Sequence, residues 1–282
     1  MKNQSQTKNL SVFYHSSNKR AAFWDKKIRR WLEGKYRQIK IVDKKSDIII
    51  ALGGDGTILE AARKYHESGA IILGLNLGNV GFLASVRDEK NFLAALDDFF
   101  NGKYDIIERL MILAQVRRKG HVVFNAEALN EAVIKNPLGM VELEARVANH
   151  PVKHIRGTGI LIATATGSTA YNLSAHGPII VPDIKCFIIT ELMDHNIPSP
   201  SVVVKHNNTI SVRVVSYRKR GLISLSKTGK KLDVLLSADG EAVFSLEEKD
   251  EVVIKSSSHL VKFAELEKNY FFKSLQEKFG FK

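Results

Sequence analysis

The stretch Asp47-Ile48-Ile49-Ile50-Ala51-Leu52-Gly53-Gly54-Asp55-Gly56-Thr57 decides the fold of the N-terminal part of the chain. Its largely apolar beginning is typical of a parallel strand that is covered on both faces. Thr57-Ile58-Leu59-Glu60 has the pattern of a capping box, which predicts a helix from Thr57 to about Ser68. A strand that leads through glycines into a helix predicts an open, doubly wound sheet, which binds ligands beyond the carboxyl ends of its strands.

The flanking sequence extends this pattern in both directions. Apolar runs predict strands at residues 10–14 and 69–75, and helical spacing predicts a helix at residues 18–34. From Ile106 onward, short alternating or β-branched runs separated by turns predict a β-rich region, and residues 269–279 predict an amphipathic helix. We therefore predict an α/β domain with an open parallel sheet at residues 1–100, an all-β, sandwich-like domain at residues 101–265, and a C-terminal helical segment at residues 266–282 that packs back.

Composition narrows the classes of function. The formal net charge of +12 favours polyanionic partners such as nucleotides or polyphosphate, whereas zinc-finger spacing and an aromatic RNA-binding signature are absent from the sequence, so nucleic acid is not expected. No apolar run approaches the length that spans a bilayer, and no signal-type stretch opens the sequence, so we expect no membrane association and a cytoplasmic location. The single cysteine, Cys186, lies in an apolar run and is expected to be a buried, inert thiol.

The glycine loop has the features of a phosphate site. Gly53 and Gly54 allow a tight turn and close approach of an anion, while Gly56 and the capped Thr57 direct free amides and the positive helix end toward it. A carboxylate beside a phosphate is repulsive unless it binds a metal or accepts a proton from an attacking hydroxyl. Asp55 is therefore the predicted reacting centre of a phosphotransferase, and the alternative is a glycine turn without a chemical role.

Two further motifs can bind a polar ligand. Residues 164–174 place hydroxyls around Gly167, and Tyr171 can supply a flat face for a purine. The alternative is a serine- and threonine-rich turn that starts a helix. Asn130-Glu131 can bind ribose hydroxyls or an adenine edge, and the alternative there is a surface pair at a strand end.

The order of these motifs resembles that of a known family. The glycine loop is followed by Asn76-Leu77-Gly78-Asn79-Val80-Gly81-Phe82-Leu83, by Asn130-Glu131, by Thr166-Gly167-Ser168-Thr169-Ala170-Tyr171 and by Gly177-Pro178-Ile179-Ile180. This ordered set is similar to that of the bacterial NAD kinases, from about residue 48 to the C-terminal segment. Lipid kinases and phosphofructokinases use an aspartate in a similar loop, but they do not carry the tyrosine motif in this form.

The resemblance implies an activity, ligands and an assembly. A phosphoryl group would pass from ATP or polyphosphate to the 2′-hydroxyl of the adenosine ribose of NAD, giving NADP, with Asp55 as general base. The loop amides and a divalent cation, Mg²⁺ above all, would hold the donor phosphates, and no side chain is assigned as a metal ligand. Family members are dimers or tetramers in which neighbouring subunits complete the NAD site. The residues that the resemblance assigns to NAD are Asp55, Gly56, Asn130, Glu131, Arg156, Thr158, Thr169, Ala170, Tyr171, Asn172, Leu173, Ser174 and Glu241.

The chain departs from the usual family pattern at four positions. Thr158 replaces an aspartate, Ala165 a proline and His176 a glycine, and Glu241 stands where glutamine is common. A lipid or sugar kinase of the same superfamily and a non-catalytic dinucleotide-binding protein therefore remain as alternatives. The sequence leaves open the phosphoryl donor, the redox state of the acceptor, the oligomer size and feedback regulation.

Overall fold

A computed structural model describes residues 8–195, 199–224, 229 and 231–280 of the chain. The chain divides into two compact units, of which the first contains residues 1–109 and 259–282 and the second contains residues 110–258. Within the described part, every helix is too short or too polar to cross a membrane.

The helices and strands alternate at first and then give way to strands. The helices are α1 Lys19–Lys35, α2 Asp55–Tyr65, α3 Phe92–Phe100, α4 Tyr171–Ser174 and α5 Tyr270–Phe279. The strands are β1 Lys8–Phe13, β2 Ile39–Ile41, β3 Ile48–Gly53, β4 Ile71–Asn76, β5 Asp105–Arg118, β6 His121–Ala128, β7 Glu131–Lys135, β8 Val141–Val147, β9 His150–Thr164, β10 Cys186–Asp194, β11 Val202–Lys205, β12 Ile210–Tyr217, β13 Ile223–Ser224, β14 Lys231–Leu232, β15 Val234–Ala238, β16 Ala242–Leu246 and β17 Glu251–Glu265. Short 3₁₀ helices cover His66–Ser68, Glu89–Asn91 and Thr166–Thr169.

The first unit contains a parallel sheet. Its strands lie in the order β2, β1, β3, β4, and the last part of β17 pairs in parallel with β4. All six residues of β3 are buried, as its apolar sequence predicts for a central parallel strand. Helix α1 begins where the Asn18 side chain accepts the Ala21 amide at 3.1 Å, and it buries Trp24, Ile28 and Leu32 in the core.

The second unit contains antiparallel strands in the order β16, β15, β7, β9, β8, β12, β17, and β10 pairs with both β9 and β11. Burial alternates along β8, where Val141, Leu143 and Ala145 are buried. This alternation is the two-residue period from which the sequence predicts strands. Cys186, at the start of β10, is buried, as the sequence predicts, and burial raises the pKa of its thiol.

The predicted fold class is confirmed. The N-terminal part has a parallel sheet with helices, the region after it is rich in strands, and a helix lies at the C-terminus. This last helix packs back within the first unit, since its Phe271 ring lies 5.6 Å from the Phe82 ring between centroids. The domain boundaries drawn from the sequence stay a prediction.

Candidate active site

The glycine loop connects β3 to α2, but the helix begins earlier than the sequence predicts. Gly54 is the N-cap residue, with an extended backbone and no side-chain cap, and Asp55 is the first helical residue. The capping-box interpretation of residues 57–60 is therefore wrong. The physical reason lies at Gly53, where a Cβ atom would overlap the Thr57 side chain. Thr57 thus packs against the end of β3 instead of capping the helix.

The first turn of α2, called the anion seat below, has the geometry that can receive an anion. The amides of Thr57 and Ile58 both donate to the Gly54 carbonyl, at 3.0 and 3.1 Å, so the expectation of a free Thr57 amide is also wrong. The amides of Asp55 and Gly56 precede these bonds, at the position where N–H groups have no partner inside the helix. A Cβ atom at Gly54 or Gly56 would meet nothing within 4 Å, so the fold itself does not require glycine at either position. Their absent side chains leave room for a bulky anion beside the amides.

The Asp55 carboxylate is held by a second loop of the same unit. The Phe82 amide donates to Asp55 Oδ2 at 2.7 Å, and the Leu83 amide donates to Asp55 Oδ1 at 3.2 Å. A Cβ atom at Gly81 would overlap the carboxylate, so glycine at this position allows the carboxylate to keep its place. The loop is itself fastened by the buried Asn76, whose side chain donates to the Asn79 carbonyl at 3.0 Å. Asp55 is half-buried and has a fixed orientation.

In the second unit, Asn130 and Glu131 lie at the start of β7 against an acidic turn. The Asp239 carboxylate accepts three consecutive amides, those of Leu129 and Asn130 at 2.8 Å and that of Glu131 at 3.1 Å. Asp239 adopts a left-handed conformation with φ of 47°, and its own amide donates to the Glu131 carbonyl at 3.0 Å. The two segments are therefore locked together through their backbones.

Glu131 is not the surface residue that the alternative interpretation supposes. It is 8% exposed, and its Oε2 atom is buried without a hydrogen-bond partner. Burial and the neighbouring Asp239 charge raise the pKa of Glu131 to about 8, while a hydrogen bond from the Tyr171 amide opposes the shift. The carboxyl group therefore connects Asn130-Glu131 to the tyrosine motif.

The tyrosine motif divides into supporting and accessible residues. Asn172 is completely buried, where its side chain donates to the Pro178 carbonyl at 3.0 Å and accepts from the Thr190 hydroxyl at 2.8 Å. Its role in this structure is to hold the motif. Tyr171 is 39% exposed, with Lys135 Nζ 5.7 Å from its ring centroid, and Ser174 is also exposed. Thr169, Ala170 and Leu173 are half-buried.

A cavity of about 430 Å³ in the second unit brings together three of the predicted ligand residues, Thr158, Tyr171 and Ser174. The Thr158 hydroxyl donates to the Leu192 carbonyl at 2.8 Å, a bond that an aspartate carboxylate could not make. Arg156 instead lines a separate cavity of about 340 Å³, beside Glu142. Glu241 is exposed in the Asp239 turn, and its amide donates to the Ala238 carbonyl at 3.0 Å.

The sequence did not identify the residues that support this cavity. It also did not identify the residues that lie beside the carboxyl groups of Asp55 and Glu131. Lys153 is buried in the second unit, and its Nζ atom donates to Glu191 Oε1 at 2.7 Å and to the Pro200 carbonyl at 3.0 Å. Glu191 and Pro200 both line the cavity of Thr158. Asp239 had a weak signal, since it lies two residues before Glu241 in the same acidic turn. Gly81 had one too, as a glycine in the loop motif at residues 76–83.

These features define a class of protein. A parallel strand ends at a glycine loop, the loop presents a carboxylate beside helix amides, and a separate polar motif offers an exposed tyrosine and a cavity. This combination is that of a phosphotransferase whose substrate is a nucleotide.

Comparison with known proteins places the chain within that class. Residues 2–104 match the ATP-NAD kinase N-terminal domain, and residues 129–266 match the ATP-NAD kinase C-terminal domain. The chain is 35% identical over 236 residues to an NAD kinase of Thermoanaerobacter sp. strain X514, with 83% of this chain and 78% of the relative covered. It is 33% identical over 253 residues to an NAD kinase of Lachnoclostridium phytofermentans, with 88% and 85% covered. The chain belongs to the NAD kinase family.

Solved structures show the same fold. A yeast NADH kinase complexed with NADH superposes with a TM-score of 0.83 at 18% identity, with 99% of this chain and 89% of that chain covered. An NAD kinase from Archaeoglobus fulgidus in complex with ATP superposes with a TM-score of 0.74 at 23% identity, with 96% and 97% covered.

Proposed function

We propose that Asp55 is the general base of the family's reaction, in which a phosphoryl group passes from ATP to the 2′-hydroxyl of the adenosine ribose of NAD. The products are NADP and ADP, and the hydroxyl proton goes to an Asp55 oxygen as the new P–O bond forms. The observation that carries this proposal is the setting of Asp55, a half-buried carboxylate fixed by two amides beside an anion seat. Phosphoryl transfer needs positioning and charge neutralisation, and it needs a base only as the bond forms.

The donor side rests on the first turn of α2. The amides of Asp55 and Gly56 would receive phosphate oxygens of the donor, and the positive end of the helix would favour their charge. Gly53, Gly54 and Thr57 would shape the loop, since Gly53 admits the Thr57 side chain and Gly54 leaves the seat open. ATP is the donor that we propose first, because a solved relative with the same fold is in complex with ATP. Polyphosphate is a second donor that the net charge of +12 would attract.

A divalent cation fits the loop as a partner of the donor phosphates. Each oxygen of Asp55 accepts one amide, at 2.7 and 3.2 Å, and each keeps a lone pair for another contact. Mg²⁺ usually keeps several waters and takes one or two carboxylates together with substrate phosphates. Asp55 is the side chain that would reach the cation, and the bound cation would neutralise charge on the phosphoryl group.

The acceptor side rests on the second unit. Asn130 and Glu131 would bind ribose and adenine groups of NAD, and residues 169–174 would line the dinucleotide with Tyr171 stacking on a ring. The exposure of Tyr171 and its place beside Thr158 in one cavity support this assignment. Asn172 would act through the motif that it holds. Arg156 and Glu241 remain proposed contacts of NAD, and both residues are exposed to solvent.

Two broader predictions accompany the mechanism. We propose that the chain self-associates as a dimer or tetramer, as its resemblance to the bacterial NAD kinases implies. We propose further that it works in the cytoplasm, where NAD and ATP are both present.

The central experiment is an assay of purified protein with ATP, NAD and Mg²⁺, in which NADP is separated by chromatography. Asp55→Asn should lower turnover about 10²- to 10⁴-fold, the range for loss of a general base. The exposed Asp43 of the same unit provides the matched control, and Asp43→Asn should retain full activity. Parallel arms with polyphosphate, with NADH and with EDTA test the donor, the acceptor and the cation. Full activity in Asp55→Asn would refute the assignment of the base.

A further inference from the structure

Helix α5 contacts the loop that holds Asp55, within the first unit. The Phe82 amide donates to Asp55 Oδ2 at 2.7 Å, and the ring of the same residue lies against α5. Its centroid is 5.6 Å from that of Phe271 and 6.3 Å from that of Phe279, and Lys278 Nζ is 5.1 Å from the Phe82 ring. Phe271 is 8% exposed, so its ring fills space beside Phe82 and is not available to solvent.

A second set of contacts fixes the same helix to the chain just beyond the loop. Arg87 Nη2 donates to Ser274 Oγ at 2.7 Å and to the Tyr270 carbonyl at 3.2 Å. The guanidinium also pairs with Glu277 and lies 4.5 Å from the Tyr270 ring centroid. Ser274 is completely buried. Helix α5 therefore has a fixed position relative to residues 82–87.

Electrostatics gives a further indication that α5 lies close to the reacting group. Burial raises the pKa of the Tyr270 hydroxyl, the Arg87 guanidinium opposes that shift, and the Asp55 carboxylate adds to it. Tyr270 is the first residue of α5. The Asp55 charge therefore interacts electrostatically with the N-terminal end of this helix.

We propose that α5 is a positioning element for Asp55 and that Phe271 is the residue through which it acts. The Phe271 ring holds Phe82, and the Phe82 amide in turn fixes the orientation of the carboxylate. The proposal rests on the proposed role of Asp55 as general base. Removal of the ring would leave a cavity into which Phe82 can move, and a shift of about 1 Å at a catalytic group can cost as much as 10²-fold in rate.

The test compares neighbouring aromatic residues of one helix. Phe271→Ala should lower kcat about 10- to 100-fold, with KM for NAD and for ATP within about twofold, because the substrates' own contacts stay in place. Phe271→Leu should recover most of the lost kcat, since it restores most of the buried volume. Phe272 is 53% exposed, and Phe272→Ala is the matched control that should keep kcat.

A double-mutant cycle separates positioning from general stabilisation. If Phe271 acts through Asp55, then Phe271→Ala should change the residual rate of Asp55→Asn by less than about twofold. A rate that falls by the same factor in both backgrounds would overturn the proposal, and so would equal losses in Phe271→Ala and Phe272→Ala. Assays run well below the thermal midpoint of each variant keep unfolding out of the comparison.

Hydrogen exchange provides a readout that does not depend on activity. The amides of Phe82 and Leu83 both donate to Asp55, so exchange of a peptide that covers residues 79–86 should be faster in Phe271→Ala than in Phe272→Ala. Unchanged exchange in Phe271→Ala would contradict the proposed contact. Full activity in Asp55→Asn would refute the role of Asp55 as general base. The exchange measurement would still test whether α5 holds the loop, because it does not depend on activity.

Discussion

The two units each build a site around a carboxyl group, and they treat that group in opposite ways. In the first unit, Asp55 accepts two amides at the start of a helix, and Gly81 clears space for its carboxylate. In the second unit, Glu131 is buried beside the Asp239 charge, one of its oxygens has no partner, and its pKa rises to about 8. The first arrangement holds a carboxyl group with backbone amides at the start of a helix, whereas burial and a neighbouring charge in the second favour the uncharged form of the carboxyl group.

A substitution at Gly81 is the most direct test of the arrangement around Asp55. In Gly81→Ala, the added Cβ atom would overlap the Asp55 carboxylate and force it from its position. We expect turnover to fall about 10²-fold or more, close to the effect of losing the base itself. Initial rates of NADP formation measure the loss.

Gly34 is the control for this substitution, because a Cβ atom there would meet nothing within 4 Å in helix α1. Gly34→Ala should keep its activity and gain about 0.5 to 1 kcal/mol in unfolding free energy. Wild-type turnover in Gly81→Ala would show that the position of Asp55 does not depend on this contact.

Asp239 tests the second arrangement. Asp239→Asn replaces one of the two oxygens that accept the Leu129, Asn130 and Glu131 amides with a donor group. We expect the unfolding free energy to fall by about 3 kcal/mol, since hydrogen bonds to a charged acceptor are lost and buried donors lose their partners. Urea unfolding at pH 7 measures this change, and the exposed Glu241 of the same turn gives the control, with Glu241→Gln expected within about 0.5 kcal/mol of wild type. Equal stability of the two variants would remove Asp239 from its structural role.

The raised pKa of Glu131 predicts that the unfolding free energy depends on pH. Its folded pKa of about 8 lies above its ordinary value, so the unfolded chain loses this proton at lower pH than the folded chain. The unfolded state then binds fewer protons between about pH 4.5 and pH 8, and stability falls as pH rises through that window. Glu131→Gln removes this loss, so its stability relative to wild type should increase by roughly 4 kcal/mol from pH 5 to pH 8.5.

Urea unfolding across that range measures the difference, and Glu89→Gln is the control. The Trp24 and Arg20 hydrogen bonds lower the pKa of Glu89, so its contribution changes only at more acidic pH. In Asp239→Asn, the charge that helps to raise the Glu131 pKa is gone, and the pH dependence should shrink. A constant difference between Glu131→Gln and wild type from pH 5 to pH 8.5 would mean that the buried carboxyl group is ionised throughout.

For both sites, the sequence predicts the helices, strands and turns better than the contacts between residues that are distant in the chain. The apolar run before Gly53 correctly predicts a strand, a glycine turn and a helix, because each depends on residues adjacent in the chain. The helix begins at Asp55 and not at Thr57, because the Thr57 side chain packs on Gly53, and a local pattern cannot show that contact. The partners of Asp55 lie 27 and 28 positions away, and those of Asp239 lie 108 to 110 positions away, so a local pattern cannot show which residues pair in either network.

The smallest expected effect concerns the turn after the tyrosine motif. His176 has a φ of 60°, in the left-handed region where a Cβ atom is strained and glycine is not. His176→Gly should therefore raise the unfolding free energy by about 0.5 to 1 kcal/mol, because the relief of strain exceeds the entropy cost of a glycine. Thermal and urea unfolding measure the gain.

Ala175 provides the control, since its φ of −89° suits any residue and Ala175→Gly should only destabilise. His176 also lines the cavity of Thr158 and Tyr171, so the same variant tests whether the imidazole takes part in binding. Unchanged affinity for NAD together with higher stability would identify His176 as a strained turn residue. A loss of stability in His176→Gly would instead show that the imidazole contacts stabilise the motif by more than the backbone strain costs. This turn of the second unit would then depend on a side chain, whereas the loop of Asp55 depends on glycines.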